Sequence, residues 1–532
     1  MTRVVRLRPW QKQALDGFLE AAGPDYLAVA TPGAGKTTFA LTVARHELAA
    51  RPARLVVVAP TAHLKLQWSR AAAAFGLHLD PAWAAADGRL PADMHGIVTS
   101  YQQVATSAPL LRALAENAFV VFDELHHAAD ERAWGDAIRV AFAGSARRLA
   151  LSGTPFRSDT RAIPFVRYDG DEAVPDFEYG YADALRDGRV VRPVYFPSTN
   201  GQMEWQAPDG SIHSAGFDDR LDAQRAAQRL RTALSLDGEW LPAVLRSAHE
   251  RLSAVRAEQP DAGGLVIAID REHARGIAAI LKSRFGASSR VVTSDDPQAS
   301  AGIAAFAAGR DPWLVAVRMV SEGVDIPRLR VGVYATTTTT ELFFRQAVGR
   351  LVRWTRGVPQ QRAWLYIPDD LRLRAHAGGM AEQRRHSLRK EDAPERAERE
   401  EDAAGEDVQM SLFAALSAVA TDVHEPEDLP YEPDPEWAGG GEIELELAPP
   451  PPLTGGGETA GAAVTVTRRE EKQALRDQNA TVARELVRRT RLTHAQVNAE
   501  LNRRAGVRRV TEATIDQLER RLVAADRWLA RT

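Results

Sequence analysis

A chain of 532 residues, 45% of them apolar, exceeds what one hydrophobic core organises and calls for two to four domains. It has no cysteine, which excludes a disulfide framework, an iron–sulfur cluster and a thiolate zinc site; it also lacks any apolar run long enough to span a bilayer and any signal-like apolar segment in MTRVVRLRPWQKQ, so the expectation is a cytoplasmic protein with no membrane partner. The net charge of −4 conceals an asymmetry: residues 391 to 447 hold 19 acidic residues against two arginines, leaving a basic remainder that fits either a polyanion partner or ordinary solvation.

In chain order, DYLAVA, RLVVVAP, MHGIVTSY, FVVFDE and RRLALSGT are short apolar runs between residues 24 and 160, each ending at small or polar residues as buried parallel strands do. Stretches such as KTTFALTVARHELAA carry helical spacing between them. We expect a parallel α/β domain over 1–190, with its chemistry at the carboxyl ends of the strands. Residues 191–259 read as a connector with a helical stretch near 219–257 whose role the sequence leaves open. The strand pattern restarts with GGLVIAID, SRVVTS, PWLVAVRM, RVGVYAT and RAWLYIP, with helices near 271–285, 297–309 and 341–353, giving a second α/β domain over 260–385.

Residues 386–467 are acidic and rich in proline and glycine, and read as a linker with little to bury. Helical patterning returns at 468–532, a small domain with 16 arginines and lysines against nine acids. There Thr493 with Gln496 matches a capping box, Gly506 a helix stop, and Ile515, Leu518, Leu522 and Leu529 share one face. Its basic surface suits duplex backbone, a protein partner or packing on the rest of the chain, and the sequence does not choose.

AVATPGAGKTTFA falls between the first strand and the first long helix. Gly33 and Gly35 permit a tight loop whose backbone N–H groups face an anion. In the loop Thr31, Pro32, Gly33, Ala34, Gly35, Lys36, Thr37 and Thr38, Lys36 would reach the β- and γ-phosphates of a nucleotide and Thr37 would offer a hydroxyl to Mg²⁺. Ala30 stands where the usual pattern has its first glycine.

VVFDELHHAAD, residues 120 to 130, places Asp123, Glu124, His126 and His127 after a strand. Four such side chains could form a metal cage, but adjacent residues at a strand end point in opposed directions and rarely share one ion. Beside a phosphate loop, Asp123 instead suits Mg²⁺ held through water, and Glu124 suits positioning and deprotonation of the attacking water. His126 fits a link from the phosphate site to the rest of the machinery, and His127 a structural place.

With those residues in place, the chain resembles the superfamily 2 helicases and translocases of the DExH type. LRPWQ (7–11) resembles the adenine-reading segment, with Gln11 as reader; VVVAPTAHLKLQW (56–68) and IVTSYQ (97–102) resemble the next two motifs; LSGTP (151–155) resembles the coupling motif, with Ser152 and Thr154. Further on, LVIAIDREHA (265–274), VRMVSEGVDIP (317–327) and FRQAVGRLVR (344–353) resemble the second-domain motifs, in order, so that the likeness covers roughly residues 5 to 370.

The resemblance implies two tandem RecA-like domains, ATP and Mg²⁺ as cofactors, nucleotide contacts from Gly323 and Asp325, and arginine fingers at Arg350 and Arg353 beside Gln346. Gln346, Gly349, Arg350 and Arg353 share one helical face by spacing, and positive charge on a phosphoryl-transfer transition state is what such arginines supply. Thr61, Thr99 and Tyr101 are the implied nucleic-acid contacts, with a strand-end structural role as the alternative to each. DELH, SGTP and QAVGRLVR depart from the RNA-specific DEAD-box pattern and resemble the DNA-acting branch, so DNA is favoured over RNA. No nuclease signature accompanies the motor: Glu470 and Lys472 lie far from Pro433-Asp434.

Overall fold

The computed structural model describes residues 3–51, 53–87, 93–125, 132–153, 163–170, 172–207, 209–293, 299–317, 326–355, 357–358, 361–388, 414–426, 441–452, 468–490, 492–508, 510 and 513–529. His126, His127, Thr154, Gly323, Asp325 and most of the acidic stretch lie outside the described residues. Two compact units result: Met1–Ala28, Gly35–Glu178 and Gly441–Thr532 form one, Val29–Ala34 and Tyr179–Gly440 the other.

The first unit is built on a seven-stranded sheet in the order Phe177–Tyr179, Asp25–Ala30, Arg147–Ser152, Phe119–Phe122, Leu55–Ala59, Gly96–Ser100, Leu79–Asp80. From Arg147–Ser152 to Leu79–Asp80 every neighbouring pair is parallel. Leu55–Ala59 and Phe119–Phe122 are buried at every position, which is why their sequences are unbroken apolar runs and not alternating ones. The helix Lys36–Ala50 is buried on most of its circumference, with Phe39, Leu41, Val43, Ala44 and Leu48 all shielded. It is a central helix of this unit, not a surface one.

Three pieces of the chain's last hundred residues complete this unit. Ile443–Leu447 pairs antiparallel with Arg3–Leu7. Just beyond it, the Arg45 guanidinium donates to the Ala448 carbonyl, and His95 Nε2 lies 3.1 Å from the Pro451 carbonyl oxygen. The helices Arg468–Thr490, His494–Ala505 and Ile515–Leu529 then form a small bundle around Leu486, Val497, Leu501 and Ala525. Thr493 accepts from the Gln496 N–H in a capping box, and Gly506 closes its helix with φ 65°, a conformation glycine adopts without strain.

The second unit holds a nine-stranded sheet. Its main path runs Ile212–Gly216, Ser198–Gln206, Ala363–Pro368, Leu329–Ala335, Gly263–Ala268, Trp313–Val317, Ser289–Val292. The last five strands are the five expected ones, and they pair in parallel. The helical stretch expected near 219–257 is two helices, Ala223–Ala233 and Trp240–Glu258. The longer one sends Leu241, Val244, Leu245, Ala248 and Leu252 into the core with Val266, Val315 and Val333. That settles the role left open by the sequence: it is a core helix of this unit.

Two features depart from the expected outline. Residues 198–216 form an antiparallel hairpin within the presumed connector, and Ala414–His424, within the presumed linker, adds an antiparallel strand beside Ser198–Gln206. Neither carries an apolar run: STNGQMEWQ alternates buried and exposed positions, and AALSAVATDVH is exposed at all but two. Among the described residues no helix is long and apolar enough to cross a membrane.

Candidate nucleotide site

Three elements of the first unit come together around Gly35 and Lys36 at the start of Lys36–Ala50. Gly33 and Gly35 take φ of 87° and 97°, which orients successive N–H groups toward one side of the turn. No side chain caps the first turn of the helix that follows, and its N–H groups and the positive end of its dipole point back toward the loop. Gln11, only 3% exposed, stitches the loop to the first helix: its Oε1 accepts from the Arg8 N–H at 2.8 Å, and its Nε2 donates to the Gly35 carbonyl at 2.9 Å.

Lys36 Nζ lies 2.8 Å from Glu124 Oε1, and Glu124 Oε2 accepts from the Gly153 N–H at 3.1 Å. Glu124 sits at φ 49°, left-handed backbone for a non-glycine residue just past the end of its strand. Ser152, whose strand ends beside it, is fully buried. Lys36 at the end of the loop, Glu124 after the strand Phe119–Phe122 and the N–H after Ser152, on the strand between, thus form one connected chain.

Asp123 is 8% exposed and held on three sides. Its N–H donates to the Val58 carbonyl at 2.9 Å, Trp68 Nε1 donates to its Oδ2 at 2.7 Å, and the Tyr101 hydroxyl donates to its carbonyl at 2.9 Å. Trp68 closes the segment 56–68, and sequence reasoning missed its role; a tryptophan on a helix two turns past a strand end was the available signal. Thr61 caps the helix Ala62–Ala74, accepting from the Leu64 N–H. Thr99 and Tyr101 are fully buried, and the Thr99 hydroxyl donates to Gln103 Oε1 at 3.3 Å. Lys65 on the first of these helices donates to the same Gln103 oxygen at 2.7 Å, and burial draws its amine below the usual lysine range, with Asp80 acting the other way.

The residues present fit a polyphosphate and a divalent cation. A Cβ at Gly35 would fall 2.8 Å from Gln11 Nε2, so the loop is closed to larger residues, while Lys36, Thr37, Asp123 and Glu124 offer one cation, one hydroxyl and two carboxylates.

In the second unit, Gln346 and Arg350 lie half-buried on the helix Glu341–Leu351, and Arg353 follows it in an isolated bridge with Val191. That turn is pinned by Arg192, which is fully buried. Its N–H donates to the Val352 carbonyl at 2.8 Å, and its guanidinium donates to Pro327 O at 2.7 Å, Thr355 Oγ1 at 3.1 Å and Leu329 O at 3.2 Å. Arg192 was not singled out from sequence, and nothing in its neighbourhood VVRPV marked it.

A turn-borne lysine joined to a strand-end glutamate, in a parallel sheet and followed by a second parallel-sheet unit, defines a class. That arrangement resembles the superfamily 2 helicases and translocases, in the branch of the restriction-enzyme motors. Residues 4–157 match the family described as Type III restriction enzyme, res subunit. An uncharacterized protein of Mycobacterium tuberculosis is 49% identical over 390 residues, covering 72% of this chain and 64% of the relative. One from Mycobacterium leprae is 47% identical over 392 residues, covering 72% and 65%. The chain therefore spans somewhat under two thirds of the length of these relatives. Among solved structures, a fragment assigned as an HsdR subunit of a type I restriction enzyme from Vibrio vulnificus YJ016 shares the fold, with TM-score 0.50 and 17% identity over 70% of this chain and 65% of that one.

Proposed function

We propose that the chain is an ATP-dependent DNA helicase or translocase acting in repair, recombination or defence. The observation that carries this reading is the Lys36–Glu124 contact at 2.8 Å, which joins the phosphate-binding loop to the carboxylate suited to activating water. Lys36 would hold the β- and γ-phosphates against the N–H groups of Thr31–Thr38, and Gln11 would read the adenine edge. Thr37 and Asp123 would hold Mg²⁺, which when bound neutralises charge on the transferring phosphoryl group. Glu124 would then exchange Lys36 for a water and take its proton. Arg350 and Arg353, with Gln346, would supply positive charge from the second unit, and Gly323 and Asp325 further nucleotide contacts. His126, Ser152 and Thr154 would couple hydrolysis to movement.

The match of residues 4–157 to a restriction-enzyme subunit family favours DNA over RNA as the track. Of the implied nucleic-acid residues, Thr61 keeps that role in our reading. Thr99 and Tyr101, being fully buried, serve it indirectly. The test is ATP hydrolysis by the full chain alone and with single-stranded, duplex and forked DNA and with RNA, beside Lys36→Ala. Stimulation by a DNA form, absent in Lys36→Ala, is expected. Stimulation by RNA alone would replace DNA as the track, and DNA-stimulated hydrolysis without strand displacement would leave a translocase or remodelling ATPase. No nucleotide binding and no hydrolysis would refute the reading.

A further inference from the structure

We propose that Trp68 and Tyr101 are positioning residues that set the Asp123 carboxylate and make its metal affinity depend on what occupies the segments they come from. This rests on the proposed function, since Asp123 must hold Mg²⁺ for the link to matter.

The geometry is specific. Trp68 is 3% exposed, on the helix Ala62–Ala74, and its Nε1 reaches Asp123 Oδ2 at 2.7 Å. An indole N–H is a donor only, so this bond needs that oxygen turned toward the helix as its acceptor. Being charge-assisted and nearly shielded from water, it is stronger than a neutral hydrogen bond and fixes the carboxylate's rotation. Tyr101 opens the helix Tyr101–Leu114, is fully buried, and ties its hydroxyl to the Asp123 carbonyl at 2.9 Å. One aromatic therefore holds the side chain and the other the backbone of the same aspartate.

The two helices are braced to each other. Lys65, one turn before Trp68, donates to Gln103 Oε1 at 2.7 Å, and Gln103 closes the capping box of the second helix with Ser100. The exposed or half-buried residues at the two helix starts, Thr61, Ser100 and Gln102, are where a polymer could touch. A shift of either start on binding moves a braced pair of helices, and both end on Asp123. Packing alone would not require an indole N–H to meet a carboxylate at 2.7 Å, nor a tyrosine hydroxyl to meet the carbonyl of the same residue.

The test uses full-length Trp68→Phe and Tyr101→Phe with Lys36→Ala and wild type. The first readout is the Mg²⁺ concentration that half-saturates binding of a fluorescent ADP analogue; the second is the ratio of hydrolysis with and without the stimulating polymer; the third is the melting temperature. Loss of a hydrogen bond orienting a metal-holding carboxylate typically weakens metal affinity by tenfold or more, so Trp68→Phe should raise the Mg²⁺ requirement about tenfold. It should also cut the stimulation ratio, and Tyr101→Phe should cut the ratio with a smaller Mg²⁺ effect. A lowered melting temperature with both other readouts unmoved, in either variant, would overturn the proposal and leave the aromatics as packing. If Trp68→Phe does not fold, Tyr101→Phe alone decides through the ratio. A wild type that binds no nucleotide, like Lys36→Ala, would overturn the proposed function and this inference with it, which a failure confined to the aromatic variants would not.

Discussion

Substituting Lys472 by methionine should release the C-terminal helices from the first unit while leaving the sheets folded. Lys472 Nζ lies 3.2 Å from both carboxylate oxygens of Asp93, and the two side chains are only 8% and 1% exposed. Asp93 Oδ2 also faces the Ile515 N–H at 3.4 Å, at the start of the last helix, so one carboxylate engages the first and last helices of the bundle. Removing the ammonium leaves a shielded charge with one weak backbone donor. Breaking a buried pair on one side costs about 3–5 kcal/mol. At ~1.4 kcal/mol per tenfold, opening of the bundle rises about a hundredfold or more. Amide hydrogen exchange over 468–529 in Lys472→Met reads this directly, with exchange in 55–59 and 119–122 unchanged. Replacing both partners, Lys472→Met with Asp93→Leu, should restore most of the protection, because two apolar groups of similar volume need no counter-charge. Exchange in the single variant within threefold of wild type would refute the reasoning, as would a double variant no better than the single.

Arg192→Lys removes a guanidinium fork that meets Pro327, Leu329 and Thr355, and a single ammonium cannot span three acceptors; about 2–3 kcal/mol of stability should be lost from the second unit in urea denaturation. Gly35→Ala places a Cβ 2.8 Å from Gln11 Nε2 at φ 97°, and binding of a fluorescent ADP analogue should weaken at least tenfold while the melting temperature falls by only a few degrees. His273 Nε2 donates to Leu234 O at 2.8 Å and Nδ1 accepts from the Ile269 N–H, so burial holds the neutral ring and draws its pKa below the usual histidine range. The unfolded chain then binds the extra proton first, and the urea midpoint should fall as pH drops from about 6.5 until the lowered folded value is passed; His273→Asn should flatten that slope.

Strands were legible wherever both faces of a sheet are covered. LVVVA, FVVF and LRVGVYA are continuous apolar runs because helices leave no solvent-facing side, and each became a strand at the expected place. The hairpin 198–216 and the strand Ala414–His424 escaped notice for the opposite reason. Half-covered or edge strands need only a few buried positions, such as Met203, Trp205 and Ala418, and their other residues follow solvent. The loop around Lys36 and the acids after residue 122 stood out because phosphate chemistry would restrict residue type at each position, and folding brings Lys36 Nζ to 2.8 Å from Glu124. Arg192, Trp68 and Lys472 were not, since a buried arginine, indole or lysine is meaningful only beside the carbonyl or carboxylate that folding brings from 55 to several hundred residues away.

The same distinction governs the implied nucleic-acid residues. Resemblance locates a segment, whereas strand pleat and helix phase decide which side chains of that segment face outward. Thr99 is the last buried residue of the strand Gly96–Ser100 and Tyr101 begins the helix that follows, and their hydroxyls turn inward, to Gln103 and to Asp123. Ser100 and Gln102, at the same junction, and Thr61, at the start of Ala62–Ala74, face partly or wholly outward. A polymer laid along these junctions would meet the outward set, and the inward set stands between those positions and Asp123. The segments that resemble a track-reading surface are on this geometry two-sided, and their buried side is the one joined to Asp123.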